Sequence, residues 1–303
     1  MTHAEARHAL SAGLEEQIAG LRRQRPARRI AEIAFFVTLW SIGITLGLTG
    51  WRLTGIAASA AALNAFFLLS HEGHHNLLFR NRFINHATNV ILCIPLLHSA
   101  WAYRVLHDLH HKFLGSSGDP DDLTNYTSRA TTRWALQFVR LTIGTLVYMP
   151  MIPIVAWRRA DRANRIRIAI EYALVAAVLF PVFMFVPIRT LLQVWLIPGV
   201  IVGYISAIRA LAQHALTDTA DPLLASRSVR SNGVVAFLLL NENYHLEHHL
   251  FPEVPSYNLP RLQVLLRSRL PRKIAARSYT RFMAGFLARF LHNDESPMGL
   301  VTP

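Results

Sequence analysis

Apolar residues are gathered into long stretches along this chain instead of recurring at alternate positions. Two stretches run roughly from Ile30 to Gly50 and from Leu53 to Ser70, and two more from Ile168 to Val186 and from Thr190 to Ala207. A helix of about 20 residues crosses a hydrocarbon core of about 30 Å, and each stretch is about that long. The pattern predicts four transmembrane helices in two hairpins, the second turning at Pro187-Ile188-Arg189.

Two further apolar runs, from Phe83 to Tyr103 and from Trp134 to Trp157, are interrupted. The interrupting residues are Asn85, His86, Asn89, Pro95 and His98 in the former and Arg140, Pro150 and Pro153 in the latter. Polar groups without partners are costly in hydrocarbon, so a simple span is disfavoured. We expect re-entrant or interfacial helices here, which leave their flanking segments on one side of the membrane.

Composition and charge agree with a membrane protein. Hydrophobic residues make up 52% and charged residues 16% of the chain, and the mean hydropathy is +0.28, more apolar than an ordinary soluble domain. The net charge of +13 comes mainly from arginines that flank the apolar stretches. This placement favours contact with anionic membrane lipids over nucleic acid.

The arginines also predict orientation, because positive residues stay on the cytoplasmic side. One cluster, from Arg22 to Arg29, precedes the first stretch, and another, from Arg158 to Arg167, precedes the third. We expect both termini in the cytoplasm of a multi-pass protein of the bacterial inner membrane. Three regions follow: a basic cytoplasmic segment at 1–29, a membrane domain at 30–260, and a basic amphipathic cytoplasmic tail at 261–303.

Histidines form three short repeats, each just beyond an apolar run. The repeats are His71-Glu72-Gly73-His74-His75, His107-Asp108-Leu109-His110-His111 and His245-Leu246-Glu247-His248-His249, and they hold nine of the fifteen histidines. On a helix, positions i, i+3 and i+4 share one face, so each repeat presents two or three imidazoles together. The predicted topology places all three repeats, and also His214, on the cytoplasmic side.

Imidazole is the commonest metal ligand in proteins and suits iron, zinc, copper and nickel alike. So many clustered imidazoles exceed the need of one ion, since a zinc site takes about four ligands, and two ions is the smallest number that uses them. The sequence therefore predicts an all-α integral membrane protein with four transmembrane helices, interfacial helices and a cytoplasmic helical cap that holds a di-metal site.

With these residues in view, the chain resembles the membrane fatty acid desaturase family, the non-haem di-iron oxidoreductases with three histidine boxes. The stretch from Asn243 to Pro252 resembles the third box closely, and Asp119-Pro120 follows the second repeat as in the second box. His214 stands after the last predicted span, where the family commonly has a further ligand. The resemblance covers roughly Ile30 to Pro260 and does not specify the substrate.

The resemblance implies a set of metal ligands for two iron ions (Fe2+/Fe3+): His71, His75, His107, His110, His111, His214, His245, His248 and His249. His74 departs from the family pattern and is a weaker candidate, as a ligand, a hydrogen-bonding group or a substrate contact. Four polar residues are placed either to hydrogen-bond the outer nitrogens of ligating imidazoles or to be solvated at helix ends: Glu72, Asp108, Asn243 and Glu247.

The implied reaction inserts a double bond into an acyl chain, with O2 as co-substrate and an acyl-lipid or acyl-thioester as substrate. Removing hydrogen from an unactivated methylene needs a stronger oxidant than any side chain, so a cofactor must carry that step. The chain has one cysteine, Cys93, and neither an iron–sulfur pattern nor a dinucleotide fingerprint. We therefore expect electrons from an external ferredoxin-like or cytochrome-type donor with its reductase.

Other functions stay open at this point. A di-iron hydroxylase or carotenoid ketolase of the same superfamily shares these boxes and differs in how the carbon radical is resolved. The literal motif His71-Glu72-x-x-His75 also fits a membrane zinc metalloprotease with Glu72 as base. That interpretation assigns no role to the other two histidine repeats. A binding or structural membrane protein with a degenerate site is the third alternative.

Overall fold

The computed structural model describes residues 3–116, 118–122, 125–217, 221, 223–270, 275–276 and 278–296. Over these residues the chain is mainly helical, which confirms the predicted all-α class. The helices are α1 (His3–Ser11), α2 (Glu15–Leu21), α3 (Pro26–Leu48), α4 (Arg52–His74), α5 (Arg82–Cys93), α6 (Ala100–Phe113), α7 (Ala130–Arg159), α8 (Arg162–Phe185), α9 (Ile188–Leu191), α10 (Ile197–His214), α11 (Gly233–Leu238), α12 (His245–Leu250), α13 (Leu259–Leu266) and α14 (Tyr279–His292). Short 3-10 helices at Ile94–Leu96 and Ser256–Asn258, a π-helical segment at Leu192–Leu196, and a two-residue parallel pairing of β1 (Ser228–Val229) with β2 (Ala275–Ala276) complete the described elements.

Four helical segments in the described part of the chain are long and apolar enough to cross a membrane. They are Pro26–Leu48, Arg52–His74, Arg162–Phe185 and Ile188–His214, and they confirm the four predicted stretches of this membrane protein. Two bent helix pairs pass the same test together, α5 with α6, bent by 99°, and the two halves of α7, which raises the number to at most six. The bends agree with re-entrant or interfacial helices, and that topology stays a prediction.

The chain divides into two compact units, each assembled from separate segments. Unit 1 comprises Met1–Arg23, Leu109–Thr142 and Ala207–Pro303, and unit 2 comprises Gln24–Asp108 and Ile143–Ser206. The boundaries expected at residues 29 and 260 concern membrane topology, whereas this division follows packing, so those boundaries stay a prediction.

In unit 2, helices α3 and α4 form a hairpin with unusually close packing. A Cβ atom added to Gly55 would fall 2.5 Å from the backbone nitrogen of Gly47, and one added to Gly43 would fall 2.5 Å from Ser59 Oγ. The connection passes through Gly50, whose φ of 99° is unfavourable for residues with side chains. The hairpin thus sets the start and direction of α4, whose C-terminal end carries the first repeat.

A second core in unit 2 joins α6, α7 and α8. Its buried residues come from all three helices: Ala102, Tyr103, Leu106, Ile152, Ala156, Ala160 and Ile168. Helix α8 begins directly after Asp161, whose side chain accepts a hydrogen bond from the backbone N–H of Asn164. This capping interaction sets the helix start, so the arginines that follow Asp161 occupy the first turns of a candidate span.

In unit 1, the N-terminal helices pack onto the helix of the third repeat. Leu10 of α1 and Ile18 of α2 belong to the same buried cluster as Leu246 and Leu250 of α12. Glu253, just after α12, forms ion pairs with arginines of the N-terminal segment, Arg7 and Arg22. The N-terminal segment is therefore part of the support of the third repeat.

The predicted basic tail contains two separate helices, α13 and α14. Leu262 and Leu266 of α13 are buried in the cluster that holds α12, and Phe282 and Phe286 of α14 pack with Trp134 in another unit 1 core. These four side chains are covered by protein, whereas Val264 of α13 and Leu291 of α14 are exposed. Contact of the basic side with lipid stays a prediction.

Candidate metal centre

The first histidine cluster, in unit 2, consists of His71, His75 and His107. His71 lies in the last turn of α4, His75 directly follows that helix, and His107 lies on α6. The Nε2 atoms of His75 and His107 are 2.8 Å apart, and one ligand atom from each of the three rings lies within 4.8 Å of the others. Three imidazoles of the first two repeats therefore converge on one point.

Helix α5 holds the end of α4 in place through two asparagines. Asn85 donates through Nδ2 to the carbonyl of Gly73, and its Oδ1 accepts from the N–H groups of Leu78 and Phe79. Gly73 has no room for a side chain, because an added Cβ would lie 2.5 Å from Cγ of Asn89. The Gly inside the first repeat is thus required by the close approach of α5.

His74 points to a different set of partners from its neighbours in the repeat. Its Nε2 lies 3.4 Å from Ser70 Oγ and its Nδ1 lies 3.1 Å from Asn89 Nδ2. Among the described residues it belongs to none of the groups that bring ligand atoms together. Both ring nitrogens are engaged by side chains of α4 and α5, which favours a hydrogen-bonding role over a ligand role.

The second histidine cluster, in unit 1, consists of His110, His214, His245 and His249. Nε2 of His245 lies 2.8 Å from Nε2 of His214 and 3.1 Å from Nε2 of His249. The ring of His110 lies 4.7 Å from that of His214 and 5.0 Å from that of His249, measured between centroids. One ligand atom from each of the four lies within 4.8 Å of the others, so three separate helices supply this cluster.

The two remaining histidines of the predicted ligand set also meet in unit 1. Nε2 of His111, on α6, lies 3.1 Å from Nε2 of His248, on α12. The ring of His111 stacks on that of His249, with centroids 4.3 Å apart and planes inclined by 26°. Each of the nine predicted ligands therefore has at least one other predicted ligand beside it.

Outer-nitrogen contacts in unit 1 come from two acidic residues that the sequence reasoning did not assign. Asp119 Oδ1 lies 3.0 Å from Nδ1 of His110, and the same carboxylate accepts from the N–H groups of Gly115 and Asp121. Glu242 Oε2 lies 3.8 Å from Nδ1 of His245. The sequence signal for Asp119 is the Asp-Pro pair beyond the second repeat. The signal for Glu242 is its position three residues before His245.

The four residues predicted for that role have other contacts. Asp108 is exposed and lies near the charge of Arg104. Glu247 accepts from Ser228 Oγ, and Asn243 donates to the carbonyl of Val229. Asp108 and Glu247 each follow or precede a ligand by one residue on a helix, so their side chains point to another face of that helix. Asn243 lies before α12 and contacts β1 instead.

Glu72, the fourth of them, forms an ion pair with Arg29 of α3. Arg29 also donates to Glu32, with a distance of 2.7 Å between Nη1 and Oε2. A charged carboxylate in so buried a position requires a partner of this kind. The pair joins the N-terminal turn of α3 to the end of α4 that carries His71 and His75.

The donor set suits a transition-metal ion. Burial, followed by the charges of neighbouring histidines, holds the pKa of His249 well below its ordinary value, so the ring is neutral as a ligand must be. Nε2 atoms about 3 Å apart fit adjacent positions around a metal with Zn–N or Fe–N bonds of roughly 2.0–2.1 Å. All-imidazole donors are typical of iron, zinc, copper or nickel and disfavour calcium or magnesium.

Comparison with known proteins agrees with these clusters. A sequence model of the family described as "Fatty acid desaturase" matches residues 49–281, which contain all three repeats and His214. The chloroplastic omega-6 fatty acid desaturase of Arabidopsis thaliana is 23% identical over 265 residues, covering 77% of this chain and 57% of that protein. The sphingolipid delta(4)-desaturase of Candida albicans is 28% identical over 244 residues, covering 76% of this chain and 64% of that protein.

A third relative has a name that includes a second activity. The sphingolipid delta(4)-desaturase/C4-monooxygenase of Mus musculus is 24% identical over 237 residues, covering 76% of this chain and 67% of that protein. The chain spans less than two thirds of the length of the Arabidopsis and Candida relatives.

Proposed function

Because this chain belongs to the fatty acid desaturase family, we propose that it is a membrane-bound, oxygen-dependent di-iron oxidoreductase that inserts a double bond into an acyl chain. The observation that carries the proposal is the convergence of imidazole nitrogens in two clusters, with Nε2 atoms 2.8–3.1 Å apart. Among the described residues, the ligand atoms that meet in these two clusters all belong to histidines.

In this proposal each cluster holds one iron ion. His71, His75 and His107 bind one, and His110, His214, His245 and His249 bind the other, while His111 and His248 complete the ligand set. Bound iron supplies the one-electron and O2 chemistry that amino-acid side chains lack. His74 stays outside the ligand set, since Ser70 and Asn89 engage its ring.

The protein itself orients the ligands and excludes water. His71, His107, His110, His245, His248 and His249 are buried, which keeps solvent from the reacting carbon and its surroundings. Asp119 holds the ring of His110 by its Nδ1 atom. The Arg29–Glu72 pair anchors the turn that carries His71 and His75 while it neutralises the carboxylate between them.

The substrate is an acyl chain that enters from the bilayer, attached to a lipid or as a thioester. Membrane-spanning helices place the chain among lipids, and relatives are named for action on fatty acids, oleoyl-lipids and sphingolipids. The electrons come from an external ferredoxin-like or cytochrome-type donor with its reductase. In this proposal the protein lies in the bacterial inner membrane with the histidine clusters facing the cytoplasm, as the arginines that flank its apolar stretches favour.

A di-iron hydroxylase is the second candidate, because one relative is named as both a desaturase and a C4-monooxygenase. The same metals serve both reactions, and the products differ: a new double bond in one case and an added oxygen in the other. A zinc protease is disfavoured, because Glu72 is buried against Arg29 and His75 faces His107 across 2.8 Å instead of an open metal position.

Expression in a host that lacks the activity, followed by mass spectrometry of total lipids, tests the proposal. We expect acyl chains lighter by two hydrogens with the intact chain and no product with His107→Ala. The control His292→Ala should form the product as the intact chain does, because His292 is exposed and its Nδ1 atom contacts the carbonyl of Ala288. Chains heavier by one oxygen would identify the hydroxylase instead. An unchanged lipid profile, despite an iron-loaded protein and a working reductase, would contradict the acyl desaturase.

A further inference from the structure

A second group of polar residues lies in unit 2, outside the histidine clusters, and is organised around Trp101 at the start of α6. Its indole Nε1 donates to Asn164 Oδ1 over 2.7 Å, and its backbone N–H donates to Glu171 Oε2 over 2.8 Å. Asn164 and Glu171 are seven residues apart on α8 and share one face of that helix. Both ends of the tryptophan are therefore fixed by the same helix.

Glu171 makes this anchoring rigid. Besides the Trp101 N–H, its carboxylate accepts from Ser99 Oγ over 2.6 Å and lies 2.9 Å from His86 Nε2. A buried carboxylate with three such partners is satisfied within the protein. Glu171 is consequently a structural element that fixes the start of α6.

Two arginines flank the Trp101 ring. The guanidinium carbon of Arg167 lies 4.6 Å from the ring centroid and that of Arg104 lies 5.4 Å from it, both within cation–π distance. Arg167 also donates to Asn164 Oδ1 over 3.1 Å. Contact with the ring restrains both guanidinium groups, so fewer conformations are lost when their remaining N–H donors bind a ligand.

The charge of this group is positive. Among the described residues no carboxylate lies within 4.0 Å of Arg104 or Arg167. Arg82 adds a second positive charge near Arg104, and the carboxylate of Asp108 opposes it. Arg167 is exposed and lies in the second turn of a candidate span, at the level where lipid headgroups meet the membrane surface.

We propose that Trp101, Arg104 and Arg167 form a binding site for the phosphate ester that carries the acyl substrate. Planar guanidinium groups bind phosphate oxygens bidentately, and tryptophan is enriched in the headgroup region of a bilayer. The proposal rests on the proposed function for its acyl substrate. A phosphate ester reaches this site from a phospholipid headgroup or from coenzyme A, and both share the chemistry that the arginines recognise.

Calorimetric titration of the detergent-solubilised full chain separates these sources. The probes are dihexanoyl phosphatidic acid, neutral dihexanoylglycerol and coenzyme A. We expect one phosphate probe to bind, Arg104→Gln and Arg167→Gln each to weaken it at least fivefold, and Arg167→Lys to weaken it less. The matched control is Arg165→Gln, which should leave binding within twofold. Arg165 lies on the same helix, but its guanidinium carbon is 5.9 Å from the ring of Trp157 and not beside Trp101.

Equal binding of dihexanoylglycerol and the phosphate probes would overturn the proposal, as would equal losses in the Arg165 and Arg167 variants. Arginine-dependent binding of phosphatidic acid supports it with a phospholipid source, and the same result with coenzyme A supports it with a thioester source. Binding is measured without turnover. A chain that binds the phosphate probe and forms no double bond would therefore contradict the proposed function alone.

Discussion

Arg29 and Glu72 form an ion pair with relative side-chain exposures of 1% and 0%. Glu72 sits between two histidines of the first cluster, and Arg29 lies at the N-terminal end of α3. The pair consequently links the integrity of the metal site to the helix that precedes it. It also gives the glutamate of a His-Glu-x-x-His sequence a structural explanation.

Replacing Arg29 by methionine should be strongly destabilising, because it leaves a buried carboxylate without its cation. Removing one member of a buried pair typically costs about 3–5 kcal/mol. Thermal unfolding of the purified protein measures the loss, and the double variant Arg29→Met/Glu72→Met should recover most of it. The control is Arg28→Gln, which breaks an exposed pair with Glu32 worth about 0.5 kcal/mol. Similar losses in Arg28→Gln and Arg29→Met would refute the explanation.

Gly73→Ala should disturb the first cluster without changing any ligand. The new methyl group would meet Asn89 at 2.5 Å, and overpacking of this kind costs about 1–3 kcal/mol. Because Gly73 lies between the proposed ligands His71 and His75 at the end of α4, we expect lower iron content as well as a lower melting temperature. Gly199→Ala serves as the matched control, since nothing lies within 4 Å of its added Cβ. Iron content that stays normal in Gly73→Ala would contradict the close-approach argument.

Asp119→Ala should weaken metal binding although the residue is not a proposed ligand. Loss of a carboxylate that orients a ligating imidazole typically lowers metal affinity about 10–100-fold. Competition with a chelator measures that affinity. Asp108→Asn should leave it unchanged, because Asp108 is exposed. If the two variants behaved alike, the contact between Asp119 and His110 would have no role in metal binding.

Leu10→Ala and Ile18→Ala, in the N-terminal helices, should destabilise helix α12, which carries the third repeat. Both side chains are buried against α12 residues, and truncation of such residues costs about 2–5 kcal/mol. Hydrogen exchange at residues 245–250 should rise in both variants. Val264→Ala is the control, since Val264 is 74% exposed on α13. Unchanged protection at α12 would show that the N-terminal helices do not support it.

Much of the fold was predictable because each membrane span is a local pattern. The stretch from Ile168 to Val186 needs only its own length and hydropathy to be identified, and α8 occupies Arg162–Phe185. The nine histidines were predictable for a similar reason, since the spacing within each repeat is itself a helical spacing. His214 was found from its position after a span, and it lies 2.8 Å from His245.

Residues that support the ligands were not predictable from local pattern. Asp119 contacts His110 because the loop beyond α6 folds back through hydrogen bonds to Gly115 and Asp121, and no periodicity encodes that turn. The partnership of Arg29 with Glu72 joins residues 43 positions apart. Neither can be read from sequence, because the closure of a loop or the packing of a hairpin decides which polar side chains meet.

The metal content of the purified protein tests the central claim most directly. Elemental analysis should give two irons per chain in the intact protein and in His292→Ala. It should give a reduced iron content in His75→Ala and in His245→Ala, one variant from each cluster. One zinc per chain, or iron content that is indifferent to both cluster substitutions, would contradict a di-iron centre built from these histidines.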